Sequence, residues 1–459
     1  MTPLLPTVQN AINGAKPFQL VDATWLAQNK KAVLGHKTGL GKTYISLLAW
    51  SQWSNVRRVL IVGTSASINT WRRIIKQWGG GTAVIMQGSG DPGWTDLMAK
   101  KSGIWLCTYA TFRILMNSVQ KPKHINVDLL INDELHKSLR GRNATFAAMQ
   151  RVDCEYYIGA TATWQSKGPQ DLFPVLHIID RKMFPSYWRF VNTWCYVTDA
   201  SYGKEIFGVK NADKLRELLR RSYYRSRTWK EVGGQFRADG VGIDPVVRRT
   251  EIIPMSREQE LLYASMDSSM EAKYRDQFVL AQNSLVKLTK LLQLAVSPRL
   301  LFDNGPLGGG IEWLTDKLLE LDAAVVFVPF KELAFITAKH LFASGYEGQI
   351  YNLYGGVTPD ECDATVESWR KTKGVVFCTI AYAQSFPLDV ADYAYFLGFD
   401  WDPNNNIQAE GRLRRADSVF DVPCLATYIV MEGTVYEQVK DVINGKVTNV
   451  RQVMADYGV

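Results

Sequence analysis

His36-Lys37-Thr38-Gly39-Leu40-Gly41-Lys42-Thr43 sits between a short apolar run, Ala32 to Leu34, and a helical pattern that continues to Trp50. Glycines in such a turn let backbone N–H groups approach phosphate oxygens. A lysine there brings charge to the β and γ phosphates, and a threonine hydroxyl can ligate magnesium. Thr38, Gly39, Leu40, Gly41, Lys42 and Thr43 are therefore a candidate triphosphate cradle. The strict pattern wants glycine at position 36, where this chain has histidine preceded by Gly35. A chance Gly-Lys-Thr turn is the plain alternative, and the strand before it and helix after it count against that.

A second segment, Val127 to His136, is an apolar run ending in Asp133 and Glu134. An aspartate there can hold magnesium through water, and the glutamate after it can orient or deprotonate an attacking water. An acidic pair after a strand is weak evidence alone and strong evidence downstream of a phosphate loop. The third segment is Gln408 to Arg415, Gln-Ala-Glu-Gly-Arg-Leu-Arg-Arg. Arg412 and Arg415, three apart on one helical turn, would share a face, and a guanidinium can neutralise charge building on a γ phosphate. A basic surface helix has the same pattern. The three segments together imply ATP and Mg2+ bound between two lobes.

The elements that must position these residues can be read from the pattern around them. Apolar runs alternate with helical stretches through the first third: AVL, VLIV, IWLCTY, LLIND and YYIGAT. That alternation is the mark of a parallel sheet covered by helices. From about residue 165 to 310 the strand signals fade, and the stretch from Arg257 to Val296 reads as long and amphipathic. A turn-rich DNGPLGGG (303–310) precedes a second series: AAVVFVPF, GQIYNLYG, GVVFCT and ADYAYFLGFD. The expected fold class is α/β: two RecA-like parallel-sheet lobes, 1–168 and 311–459, with a mostly α-helical insertion and linker over 169–310.

Composition sets the outer bounds. The chain has 459 residues, too many for one ordinary core, with 46% hydrophobic residues and no low-complexity tract. Fifty-three Lys plus Arg against 45 Asp plus Glu permit a polyanionic partner. From Lys210 to Arg237 nine basic residues face three acidic ones, with Tyr223, Tyr224 and Trp229 among them. A solvated helix face explains that run equally well. The six cysteines are scattered without metal-ligand spacing, and no signal peptide or membrane span is legible, which points to a reducing cytoplasm.

These segments resemble the Swi/Snf-type ATPases of helicase superfamily two. HKTGLGKT resembles their DEMGLGKT loop, DELHKS their DEAH box, and DWDPNNNIQAEGRLRRADS their arginine-containing segment, while TYIVMEGTVYEQV is similar to the family's segment after the arginines. TFRILM, YRSRTWKEV and KLTKLLQLAVSPRLL also look like family landmarks. The resemblance implies that Gln19, after Phe18, reads adenine, and that Gln408 lies at the nucleotide. It implies that Thr64, Ser65, Thr108 and Tyr109 line a nucleic-acid backbone, joined in the second lobe by Gly355, Gly356 and Thr379. It assigns coupling of hydrolysis to lobe movement to His136, Thr161 and Thr163. The departures are His36 and Lys37 in place of an acidic pair, and Tyr382, Ala383 and Ser385 where the family usually has glycines.

The function so implied is an ATP-dependent translocase on duplex or branched DNA, remodelling forks or junctions by branch migration in replication, recombination or repair. The compact chain, without room for chromatin-reading modules, points to a monomeric bacterial or phage protein. An RNA helicase or strand-separating helicase is the first alternative, since a DExH box and an adenine-reading glutamine occur there too. An ATP-gated DNA-binding switch that does not move is the second, favoured by the Gly-poor stretch at Tyr382 to Ser385.

Overall fold

The computed structural model describes residues 14–78, 82–88, 90–117, 124–139, 141–162, 164, 168–200, 203–236, 245–356, 359–383, 386–400, 403–414 and 422–437. They form two compact units, one reaching residue 236 and one starting at residue 245.

The first unit contains β1 (Lys31–Leu34), β2 (Arg58–Gly63), β3 (Val84–Ile85), β4 (Gly103–Thr108), β5 (Ile125–Asp133), β6 (Val152–Ala160), β7 (Cys195–Ala200), β8 (Gly203–Val209) and β9 (Tyr224–Arg225). Seven of these make one sheet in the order β3-β4-β2-β5-β6-β1-β9, and every pairing in it is parallel. Val59 to Val62 and Leu129 to Ile131 are fully buried, as strands covered by helices on both faces must be. A parallel sheet places all its carboxyl ends on one edge, so the loops after β1, β2, β4, β5 and β6 emerge together. Four helices matter for what those loops carry: α1 (Pro17–Asn29), α2 (Lys42–Trp50), α3 (Ser65–Gln77) and α4 (Tyr109–Met116).

The second unit contains β10 (Val246–Ile253), the hairpin β11 (Glu271–Tyr274) and β12 (Gln277–Leu280), then β13 (Ala323–Val328), β14 (Ile350–Leu353), β15 (Gly374–Thr379), β16 (Tyr393–Leu397) and β17 (Cys424–Met431). Its sheet runs β10-β17-β16-β13-β15-β14, again parallel throughout. The α/β class with two RecA-like parallel-sheet lobes is as expected. No described helix is long and apolar enough to cross a membrane.

Segment 169–310, expected as one mostly helical insertion, is divided between the two units. Its β9 joins the first sheet beside β1, and its β10 joins the second beside β17. β9 has two residues, and β10 exposes the side chains of Val247 to Thr250, as a sheet-edge strand does, so neither gives a long apolar run. The stretch expected as a long helix breaks into α5 (Arg257–Ser269), the β11–β12 hairpin and α6 (Ser284–Val296). Met270 ends α5 in the left-handed region at φ 61°, and Arg275 turns the hairpin at φ 55°. β17, which opens the segment after the arginines, is an interior strand between β10 and β16.

Candidate nucleotide site and its neighbours

The phosphate loop leaves β1 and turns into α2. Gly39 and Gly41 adopt φ 84° and 77°, which glycine takes without strain, and α2 begins at Lys42, directly after the loop. A Cβ on Gly41 would sit 2.5 Å from Gln19 Nε2. Gln19 is buried in α1; its Nε2 donates to the Leu40 carbonyl at 3.3 Å, and its Oε1 accepts from Lys16 N–H at 2.9 Å. The adenine-reading candidates Phe18 and Gln19 thus adjoin the loop. Lys42 Nζ donates to the His36 carbonyl at 2.9 Å.

His36 is a fully buried side chain. Its Nε2 lies 2.9 Å from Asp22 Oδ2, and Asp22 also receives Arg225 Nε at 2.6 Å and Arg227 through Nε and a terminal nitrogen, each at 3.0 Å. Burial alone would raise the Asp22 carboxyl, but hydrogen bonds from His36 and Arg227 and the charge of Arg225 hold it well below the usual carboxylate range. Burial, aided by the charges of Lys42 and Arg227, holds His36 below its ordinary value against the pull of Asp22. The departure at position 36 is therefore part of a buried charge cluster.

The acid pair ends β5. Asp133 is buried, and its Oδ2 accepts from Trp71 Nε1 at 2.9 Å while its Oδ1 accepts from Glu134 N–H at 3.0 Å. Burial and the neighbouring Glu134 charge push its carboxyl up, while the Trp71 hydrogen bond and the Lys42 charge oppose them. Glu134 sits in the left-handed region at φ 49°, a strained backbone for a non-glycine. His136 Nδ1 lies 2.9 Å from Thr161 Oγ1 and 3.3 Å from Glu134 Oε2. The coupling candidate His136 thus touches the acid pair and Thr161 touches His136; Thr163 lies outside the described residues.

The track candidates occupy the neighbouring carboxyl ends. Thr64 Oγ1 accepts from Ser67 N–H to cap α3, which begins at Ser65; Thr108 Oγ1 accepts from Thr111 N–H to cap α4. Two helix N-termini therefore stand side by side, after the paired strands β2 and β4. Tyr109 is buried, and its hydroxyl donates to the Asp133 carbonyl at 3.0 Å.

In the second unit Gly355 and Gly356 are exposed after β14, and Thr379 ends the adjacent β15. Tyr382 and Ala383 lie in a short helix (Ile380–Ala383), where Tyr382 packs on Phe386; Ser385 is outside the described residues. Gln408 is buried in α7 (Pro403–Glu410). The expected pairing of Arg412 with Arg415 falls partly outside the described residues. α7 ends at Glu410, Gly411 follows, and Arg412 lies in turns closed by Arg412 N–H to Ala409 and Leu413 N–H to Glu410, each at 3.0 Å. Arg415 is outside the described residues. Arg414 is buried, bonded to the Ala391 carbonyl and Asp392.

Two family models match the chain: the SNF2-related domain over residues 18–301 and the helicase conserved C-terminal domain over 311–417. The first covers more than half of the sequence. The chain belongs to the SNF2 family. Its relatives include the SWI/SNF-related matrix-associated actin-dependent regulator of chromatin subfamily A-like protein 1 of Drosophila melanogaster, 20% identical over 96% of this chain and 56% of the fly protein. Chromodomain-helicase-DNA-binding protein 7 of Homo sapiens is 21% identical over 88% of this chain and 15% of its own length. The SWI2/SNF2 ATPase core of Sulfolobus solfataricus, solved in complex with dsDNA, is 16% identical over 96% of this chain and 93% of that one, with a TM-score of 0.43. The chain thus spans about half, or much less, of these curated relatives' lengths.

The first sheet lies within the SNF2-related domain, and β13 to β16 of the second lie within the helicase conserved C-terminal domain. Sequence reasoning missed several of the residues that shape this SNF2 site. Trp71 and Trp229 read as ordinary apolar positions, and their indole N–H groups are used on Asp133 and on the Thr38 carbonyl. Asp22 is some two hundred residues from Arg225 and Arg227, and no local spacing joins it to them. In the basic run, the Tyr223 hydroxyl donates to Asp180 at 2.9 Å and Tyr224 is buried in the core.

Proposed function

We propose that this SNF2 core hydrolyses ATP in response to DNA and uses the cycle to translocate along duplex or branched DNA. The observation that carries this is the hydrogen bonding around Asp133. Trp71 of α3 and Tyr109 of α4 tie the acid pair to the two helices whose N-termini bear the candidate backbone contacts. Backbone N–H groups at helix N-termini bind phosphate without reading sequence, as a translocase requires.

In this reading Lys42 and the loop N–H groups hold the β and γ phosphates, and Glu134 orients the attacking water. The residues present also fit magnesium: Thr43 offers a hydroxyl, and Asp133 a buried carboxylate beside a second acidic group, the hard oxygen donors such an ion takes. Thr43 and Asp133 would hold it, Asp133 through water, and the ion would neutralise phosphate charge. His136 and Thr161 relay the state of Glu134 to the end of β6. Arg412 adds charge on the γ phosphate. Remodelling of forks and junctions by branch migration is expected if the contacts are to backbone alone, and the described free cysteines suit a reducing cytoplasm.

Measuring ATPase rates with duplex DNA, single-stranded DNA and RNA tests this reading. Duplex DNA should stimulate most, and Glu134→Gln should abolish turnover while leaving nucleotide binding. Stimulation by RNA alone would replace the reading with an RNA helicase.

A further inference from the structure

Residues 224–229 run beside the first half of the phosphate loop. β9 pairs with β1, Val33 opposite Tyr224 and Leu34 opposite Arg225. The ladder continues beyond both strands: Gly35 N–H donates to the Arg225 carbonyl at 2.8 Å and Lys37 N–H to the Arg227 carbonyl at 3.0 Å. Trp229 Nε1 then donates to the Thr38 carbonyl at 3.0 Å. A Cβ on Gly35 would lie 1.8 Å from the Tyr224 hydroxyl oxygen, so glycine is required where the ring closes over the loop. Further along, Gln235 Oε1 accepts from Phe18 N–H at 3.2 Å, beside the adenine candidates.

The side chains act on the loop's other flank. Arg225 and Arg227 bind Asp22 of α1, and Asp22 binds His36. Residues 33–38 are thereby held by one segment through both its backbone and its side chains. A loop ordered before nucleotide arrives binds more tightly than one that must be ordered on binding.

We infer that residues 224–229 form a clamp that keeps the phosphate loop in its ATP-binding conformation, with Arg227 and Trp229 as positioning residues. This rests on the reading of the loop as an ATP site. The clamp acts on binding, because Lys42, Asp133 and Glu134 are outside it.

The test uses the full chain, steady-state ATPase kinetics and titration with a fluorescent ATP analogue. Trp229→Phe removes one donor and keeps an aromatic ring; Arg227→Lys keeps the charge and loses the paired contact with Asp22. Both should raise the KM for ATP and the analogue Kd by about three- to ten-fold, the span of one net hydrogen bond, with kcat within about two-fold. Unchanged KM and Kd in Trp229→Phe overturn the clamp, whatever happens to its melting temperature. Wild-type protein that fails to bind the analogue overturns the ATP site and the clamp together.

Discussion

At the scale of single residues, the geometry converges on Asp133, which meets Trp71, Glu134 N–H and, through its carbonyl, Tyr109. Removing the indole donor in Trp71→Phe should lower DNA-stimulated kcat roughly ten-fold, the effect of one hydrogen bond to a charged group, with DNA affinity nearly unchanged. Steady-state rates at saturating DNA and a binding titration check this. Lys42→Ala and Glu134→Gln should both stop turnover, the first with weakened nucleotide binding and the second without, read by nucleotide titration. His36 gives a pH signature. Its folded-state value lies below its ordinary 6.5, so below about pH 6.5 the unfolded chain takes a proton that the folded chain refuses. Stability is then present above that pH and lost as pH falls, by up to about 1.4 kcal/mol per unit. The groups around it are Asp22, Arg225, Arg227 and Lys42. Urea unfolding at pH 7.5, 6.5 and 5.5 should show a shallower decline for His36→Gln than for wild type; parallel declines would contradict the assignment.

At the scale of elements, the arginine segment hangs from Glu410. That carboxylate takes Arg248 of β10 at 2.8 and 3.1 Å through its Nε and the Tyr428 hydroxyl at 2.8 Å. Glu410→Gln should cost about 1 to 2 kcal/mol of stability in urea unfolding, less than a fully buried pair because Arg248 is half exposed. The strands flanking the phosphate loop and the acid pair were legible because parallel buried strands are continuous apolar runs. The loop and the acid pair stood out because phosphate and metal chemistry needs particular residues at particular spacings, whereas Thr161 stood out only through the family resemblance. β9 was not, since two residues carry no period, and the helix–hairpin–helix of 257–296 was not, since alternation and helical spacing overlap over so few residues. Trp71 and Trp229 were hidden for another reason: a buried tryptophan looks the same in sequence whether or not its N–H has work to do.

At the scale of the whole molecule, a track held by phosphate contacts must release its counterions. If six or more phosphates are neutralised, DNA affinity should fall by roughly 10³ or more between 50 and 200 mM salt. A flat salt response in a binding titration would contradict sequence-independent contacts. Arg412→Ala should reduce kcat by a factor on the order of 10³ if it acts as an arginine finger, with nucleotide affinity less affected. Movement itself is tested most directly by displacement of a third strand from a DNA triplex carried on a linear duplex. Translocation predicts ATP-dependent displacement by the wild-type chain, none by Glu134→Gln, and little separation of the underlying duplex. DNA-stimulated ATP hydrolysis with no displacement would contradict translocation and leave an ATP-gated binder in its place.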